Sequence, residues 1–246
     1  MITHKFLEYC AIEEPELVSI MKKKFDQCLQ FDVGNFDDLP SSNTDYTDAR
    51  PPFPYTILQF NSSFAGESVT ILLMRIEREV GDAVMYVAQR YKEEWTSLPP
   101  IIIKRVGFQF TYQPVGEPEE TNILTVRTYH TAALKIFYIM GCSNITTQNH
   151  PAPAALNKKR IKTGKPPLYE YKTLVLTLDA KSKPGESKGG THSSPRVHLR
   201  RGHIRKLDDA RRVWVQACVV VGSGSGMVAK DYKIKSKRSS VEERRT

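Results

Sequence analysis

Cysteine is scarce in this chain of 246 residues: Cys10, Cys28, Cys142 and Cys218 are the only 4, and no pair has C-x-x-C spacing. That scarcity excludes a disulfide-stapled miniprotein and reads as reduced thiols in a cytosolic protein. Long hydrophobic runs are also missing. The longest apolar windows, around Val69–Met74 and Ala132–Met140, fall far short of the roughly 18 residues of a membrane span. The opening Met1-Ile2-Thr3-His4-Lys5-Phe6-Leu7-Glu8 has no signal-peptide core. In that compartment the sequons at Asn61 and Asn144 carry no meaning. The 14 Gly and 15 Pro follow no collagen period, and a hydrophobic fraction of 40% excludes disorder throughout. The length suits one large domain or two modest ones of roughly 100–200 residues.

What is abundant is positive charge, and it is unevenly placed. Lys plus Arg number 36 against 27 Asp plus Glu, a net of +9. Residues 1–156 hold 13 basic and 19 acidic side chains, net −6, whereas residues 157–246 hold 23 and 8, net +15. An acidic body carrying a basic module is implied, with a polyanion as its natural partner.

The apolar pattern divides the chain in the same place. Leu17, Ile20, Met21, Phe25 and Leu29 recur at helical spacing and predict an amphipathic helix from Glu13 to Leu29. Phe31 to Pro54, rich in Asp, Pro and Ser, reads as a long acidic loop. Tyr55–Phe60, Ser68–Ile76, Ala83–Gln89 and Ile101–Phe110 read as strands of a largely antiparallel sheet. Thr121 to Met140, ended by Gly141, predicts a helix covering one face of that sheet. The expected fold class is therefore α+β, with an acidic domain over residues 1–141 and a smaller basic β-hairpin unit after it.

Residues 142–168 have the composition of a linker whose second half is a basic loop: Pro151, Pro153 and Pro166 surround the run Lys158-Lys159-Arg160-Ile161-Lys162. Residues 169–235 are expected to form the basic β-rich module, and 236–246 a charged tail. Within the module, Tyr169–Leu178 reads as a strand and Lys181 to Ser194 as an exposed break. Arg196–Leu207 and Arg212–Val221 read as a hairpin turned by Asp208-Asp209-Ala210-Arg211. Gly222-Ser223-Gly224-Ser225-Gly226 then leads to a last strand, Met227–Ile234.

The densest functional signal is Arg196, His198, Arg200, Arg201, His203, Arg205 and Lys206, continued by Arg211, Arg212 and Trp214. A two-stranded ribbon sets side chains on one face about 6–7 Å apart, close to the phosphate repeat of a nucleic acid. Arg adds bidentate contacts to phosphate, and Trp214 offers a surface on which a base can stack. Lys158, Lys159, Arg160 and Lys162 extend the expected nucleic-acid-binding set. The plainer reading is a solvated hairpin whose charges block edge-to-edge pairing.

Three chemical readings compete with simple binding. His198 and His203, helped by Arg205, have the residue types of a metal-independent ribonuclease, but residues five apart face opposite sides of a strand unless Gly202 introduces a bulge. His192, His198, His203 and Cys218 match no common zinc spacing. Gly222–Gly226 lacks the last glycine of a dinucleotide loop and is followed by β alternation, with no helix to meet a pyrophosphate. No metal and no cofactor is expected.

The string Asn157-Lys158-Lys159-Arg160, Gly164-Lys165-Pro166-Pro167-Leu168-Tyr169-Glu170-Tyr171, then His198-Leu199-Arg200-Arg201-Gly202-His203-Ile204-Arg205 and Val213-Trp214-Val215, resembles a protein group of tailed bacteriophages and prophages. Pro51–Pro54 and Gly141-Cys142-Ser143-Asn144 extend the resemblance over most of the chain. It implies a viral origin and action in the host bacterial cytoplasm, and supplies no catalytic residue. The functional expectation is a non-catalytic phage accessory protein that binds DNA or RNA. The alternatives are an inhibitor that docks on an acidic host defence protein and the His198/His203 ribonuclease.

Overall fold

The apolar run Val69–Met74 has no polar alternation, and the fold explains why: both faces of its strand are buried. The computed structural model describes residues 3–13, 21–39, 46–64, 66–79, 82–115, 120–176, 198–200, 202–215 and 218–220. It contains α1 (Thr3–Glu13), β1 (Leu29–Asn35), β2 (Tyr55–Phe64), β3 (Glu67–Glu79), β4 (Asp82–Tyr91), β5 (Glu94–Val106) and β6 (Gln109–Pro114). These are followed by α2 (Glu120–Met140), β7 (Ile145–His150), α3 (Ala154–Lys162) and β8 (Tyr171–Leu176). The short strands β9 (His198–Arg200), β10 (His203–Lys206), β11 (Arg212–Val215) and β12 (Cys218–Val220) complete the order.

Strands β1 to β8 form one 8-stranded sheet in the order β6-β5-β4-β3-β2-β1-β8-β7. All its pairings are antiparallel except those of β1, which runs parallel to both β2 and β8. Ile71 and Leu73 of β3 face a core shared with Val126, Ala133 and Phe137 of α2. Leu72 and Met74, one residue out of phase, face a second core with Phe6 and Leu7 of α1 and with Met21 and Phe25 from the helical residues 21–25. Strand alternation places the two sets on opposite faces. The fold is α+β, mainly antiparallel, with a separate two-stranded hairpin sheet formed by β10 and β11.

Several expectations change. Of the helix expected over Glu13–Leu29, residues 21–25 are helical and residues 14–20 lie outside the described residues, while Glu13 ends α1 and Leu29 already belongs to a strand. Part of the expected acidic loop Phe31–Pro54 is β1, because Leu29, Phe31 and Val33 alternate with Gln30, Asp32 and Gly34 and pack on the α2 side. The strand expected over Ile101–Phe110 is divided by a turn at Gly107, whose φ of +61° suits glycine. The expected linker 142–168 holds β7 and α3, and β8, expected in the basic module, lies inside the main sheet.

The chain divides into two compact units: residues 1–179 with Ile204–Trp214, and residues 180–203 with 215–246. In the second unit, β9 pairs antiparallel with β12, Leu199 opposite Val219. The last strand expected over Met227–Ile234, the Gly222–Gly226 loop and the 236–246 tail lie outside the described residues.

Candidate functional site

The basic run at 158–162 is a helix because Ala154-Ala155-Leu156 favours one and Pro153 stands at its N-cap. Lys159, Arg160 and Lys162 occupy its last turn, where cations offset the helix dipole. Its end is closed by a Schellman pair: the Lys165 amide donates to the Arg160 carbonyl at 2.9 Å and the Gly164 amide to Ile161 at 3.0 Å. Gly164 takes the left-handed conformation that this motif requires, with φ +72°.

Two side chains fix the helix to the body. Arg160 Nη2 donates to Glu8 Oε1 of α1 at 2.6 Å, and its Nε donates to the Pro166 carbonyl at 2.8 Å. Asn157 pairs with the backbone of Leu168 as a strand residue would: its Nδ2 donates to the carbonyl and its Oδ1 accepts from the amide, both at 2.8 Å. Arg160 is thus a tether. Lys158, Lys159 and Lys162 are exposed, and none has an ion pair among the described residues. No acidic residue occurs between Ile145 and Lys165. Lys162 is one helical turn from both Lys158 and Lys159, roughly 5–6 Å between Cβ atoms, so each forms a surface pair with it.

The hairpin's charges are spent differently. Asp208 organises the turn, its Oδ1 accepting from the amides of Ala210 at 3.0 Å and Arg211 at 2.7 Å. Arg211 Nε donates to Asp208 Oδ2 at 2.6 Å, and this bond holds the carboxyl below its ordinary range. Lys206 pairs with Asp209 at 3.2 Å. Arg212 turns inward: its Nε donates to the Tyr138 carbonyl at 3.0 Å and its guanidinium lies 4.0 Å over the Tyr138 ring. Arg205 is exposed, without an ion pair among the described residues.

Trp214, expected as a stacking surface, is half-buried against the α2 core. Asn144 holds its backbone by the device that Asn157 uses, Nδ2 to the carbonyl at 2.7 Å and Oδ1 from the amide at 2.8 Å. His203 opens β10 and is half-buried, whereas His198 begins β9, in a different two-stranded sheet. Arg200 lies in β9 opposite Cys218. His192, Arg196 and Arg201 lie outside the described residues.

One polar constellation escaped the sequence reading. Arg75, 1% exposed, donates from Nη1 to His130 Nε2 at 2.6 Å and from Nε to Glu77 at 2.5 Å. His130 is fully buried, with Nδ1 2.9 Å from the Tyr112 hydroxyl. A guanidinium cannot accept a hydrogen bond, so Nε2 is unprotonated and Nδ1–H donates to Tyr112. Burial and the Arg75 cation push the imidazole down to about 3. A neutral, solvent-excluded imidazole beside a fixed cation ties α2 to β3 and β6. The available signal was polarity out of place: an Arg inside an apolar strand, and a His on the stripe Val126, Ala133, Phe137.

Among the described residues no group of three or more His, Cys, Asp or Glu side chains is arranged to hold a metal ion. No helix among them is long and apolar enough to cross a membrane. Comparison with protein-family models, with curated proteins and with solved structures found no match.

Proposed function

We propose that the chain binds nucleic acid without catalysis, gripping phosphates through the lysines of α3 with Arg205 of β10 as a second contact. The observation that carries this reading is Lys158, Lys159 and Lys162, exposed and unpaired among the described residues, on a helix that Arg160 and Asn157 fix to the body. Fixed lysines at helical spacing neutralise successive phosphates and release counterions, whatever the base sequence. The hairpin carries less of the contact than its composition suggests, since Lys206, Arg211 and Arg212 already have protein partners. The resemblance to phage and prophage proteins supports action in the cytoplasm of a bacterial host.

Filter binding to single- and double-stranded oligonucleotides over a salt series tests the reading. The expected result is a steep salt dependence, with affinity falling at least tenfold when Lys158, Lys159 and Lys162 are changed together to Ala. Unchanged affinity in that variant overturns it. A nuclease-treated lysate pull-down that still captures an acidic protein, in a chain with no affinity for oligonucleotides, favours the docking alternative.

A further inference from the structure

The large sheet ends at β6, which pairs with β5 alone among the described residues. The Val115 amide donates to the Pro100 carbonyl at 2.9 Å, and antiparallel alternation then turns the main-chain groups of Val115, Gln113, Thr111 and Gln109 toward β5. Those of Phe110 and Tyr112 point away from the sheet. Pro114 points outward too, but has only a carbonyl to offer. A row of unused N–H and C=O groups is a template for another strand, and proteins ordinarily blunt one with lysine, a bulge or a cover. No residue from Gly107 to Val115 is charged, and the register with β5 is unbroken. Phe108, 78% exposed, and Val115, 52% exposed, flank the strand at its two ends. The opposite edge, β7, has no exposed large apolar residue, and the Ser143 amide just before it is taken by the Arg212 carbonyl.

The edge is complementary to itself. A two-fold axis through Thr111 sets Phe110 of each copy opposite Tyr112 of the other, and each such pair exchanges both of its N–H···O=C bonds. Pro114 then stands opposite Phe108 at the end of the ladder, where its carbonyl can accept and its missing N–H is not needed. An axis through Tyr112 would set Phe110 opposite Pro114, which cannot donate. An axis through Phe110 would run Tyr112 into the Gly107-Phe108 turn and leave Pro114 beyond the partner strand. In the Thr111 register the α2 face gains two aromatic pairs, Phe110 with Tyr112. On the other face exposed Gln109 meets Gln113, and the two Thr111 side chains meet each other, all of them uncharged hydrogen-bonding groups. Each copy carries a net +9, so contact between copies needs a strip without charge, and β6 is one.

The geometry points to a homodimer joined through β6, in which the two sheets continue into one across a two-fold axis at Thr111. This is an isologous contact, the same surface used by both copies, and it closes after two. It stands independently of nucleic-acid binding, since α3 and its lysines take no part in it.

Analytical ultracentrifugation of the full chain up to about 50 µM is expected to show a dimer. Thr111→Lys sets two ammonium groups directly opposite each other, on an exposed side chain of a kind edge strands tolerate. It should weaken the dimer at least roughly tenfold, with the far-ultraviolet circular dichroism of the parent chain retained. Cysteine crosslinking reads the register, with the parent chain under the same oxidant as the baseline. Thr111 faces itself in a non-hydrogen-bonded pair, close enough for a disulfide, so Thr111→Cys should give a covalent dimer under mild oxidation. Gln109→Cys alone should not, whereas Gln109→Cys mixed with Gln113→Cys should. A parent chain that stays monomeric overturns the proposal and leaves the edge to a strand of another protein. A dimer that survives Thr111→Lys, or that crosslinks through Gln109→Cys alone as readily as through Thr111→Cys, overturns it as well, because the contact then lies elsewhere or in another register.

Discussion

Arg75 Nη1 lies 2.6 Å from His130 Nε2, and neither residue is more than 1% exposed. The contact requires a neutral imidazole, so protonation of His130 belongs to the unfolded chain. The unfolded value is near 6.5 and the folded value about 3, so between those limits the unfolded state binds the extra proton. Stability is therefore expected to fall as the pH is lowered from about 6.5 toward 3, by up to roughly 4–5 kcal/mol over the whole window. Urea unfolding of the parent chain and of His130→Gln measures this. The variant keeps an acceptor for Arg75 but does not titrate, so its acid limb should be shallower by one proton.

Gly141 owes its identity to Arg212. A Cβ at Gly141 would overlap Arg212 Nη2, displacing the guanidinium from the Tyr138 ring and carbonyl. Gly141→Ala is expected to destabilise by roughly 1–2 kcal/mol, the scale of one cation–π contact and one charged hydrogen bond. In an Arg212→Ala background the same change should be neutral or slightly stabilising. A double-mutant cycle by denaturant titration reads the sign, and additivity of the two changes would refute the coupling.

Asn157 and Asn144 each satisfy one backbone amide and one carbonyl of a distant segment. Asn157→Ala should loosen α3, with a stability loss of roughly 1–3 kcal/mol and faster hydrogen exchange confined to residues near 154–168. Asn144→Ala should act instead on the hairpin. Its measure is a red shift of Trp214 emission, read in a Trp95→Phe background.

The cations differ in what they can give a polyanion. Each of Lys158→Ala, Lys159→Ala and Lys162→Ala is expected to lower the slope of log K against log salt by about 0.7–0.9, the effect of one phosphate contact. Arg211→Ala should change it less, because Arg211 already neutralises Asp208 at 2.6 Å. Equal slope changes for all four would show that the turn's ion pair opens on binding.

The pattern of strands was legible wherever one segment sufficed to reveal it. Tyr55–Phe60, Ser68–Ile76 and Ala83–Gln89 fall inside β2, β3 and β4, and Thr121–Met140 inside α2, because β-rich apolar runs and helical spacing are local properties. The Asp208–Arg211 turn was legible for the same reason, since Asp208 bonds only to residues two and three positions away. What misled was composition between Cys142 and Pro167. Its Asn, Thr and Pro residues resemble a linker until Asn157 meets Leu168 and Asn144 meets Trp214, 70 residues away.

The sequence by itself determined the α+β class, the hairpin turn and the concentration of positive charge after residue 156. Tertiary structure decided which of those charges remain available. Arg160 is taken by Glu8, Arg212 by Tyr138 and Arg211 by Asp208, while Lys158, Lys159 and Lys162 face solvent. It also decided that β6 stands at the end of the sheet, paired with β5 alone among the described residues. The physical reason is that a charge count follows from residue identity alone, whereas an ion pair or a strand's place in a sheet depends on segments brought together from remote parts of the chain.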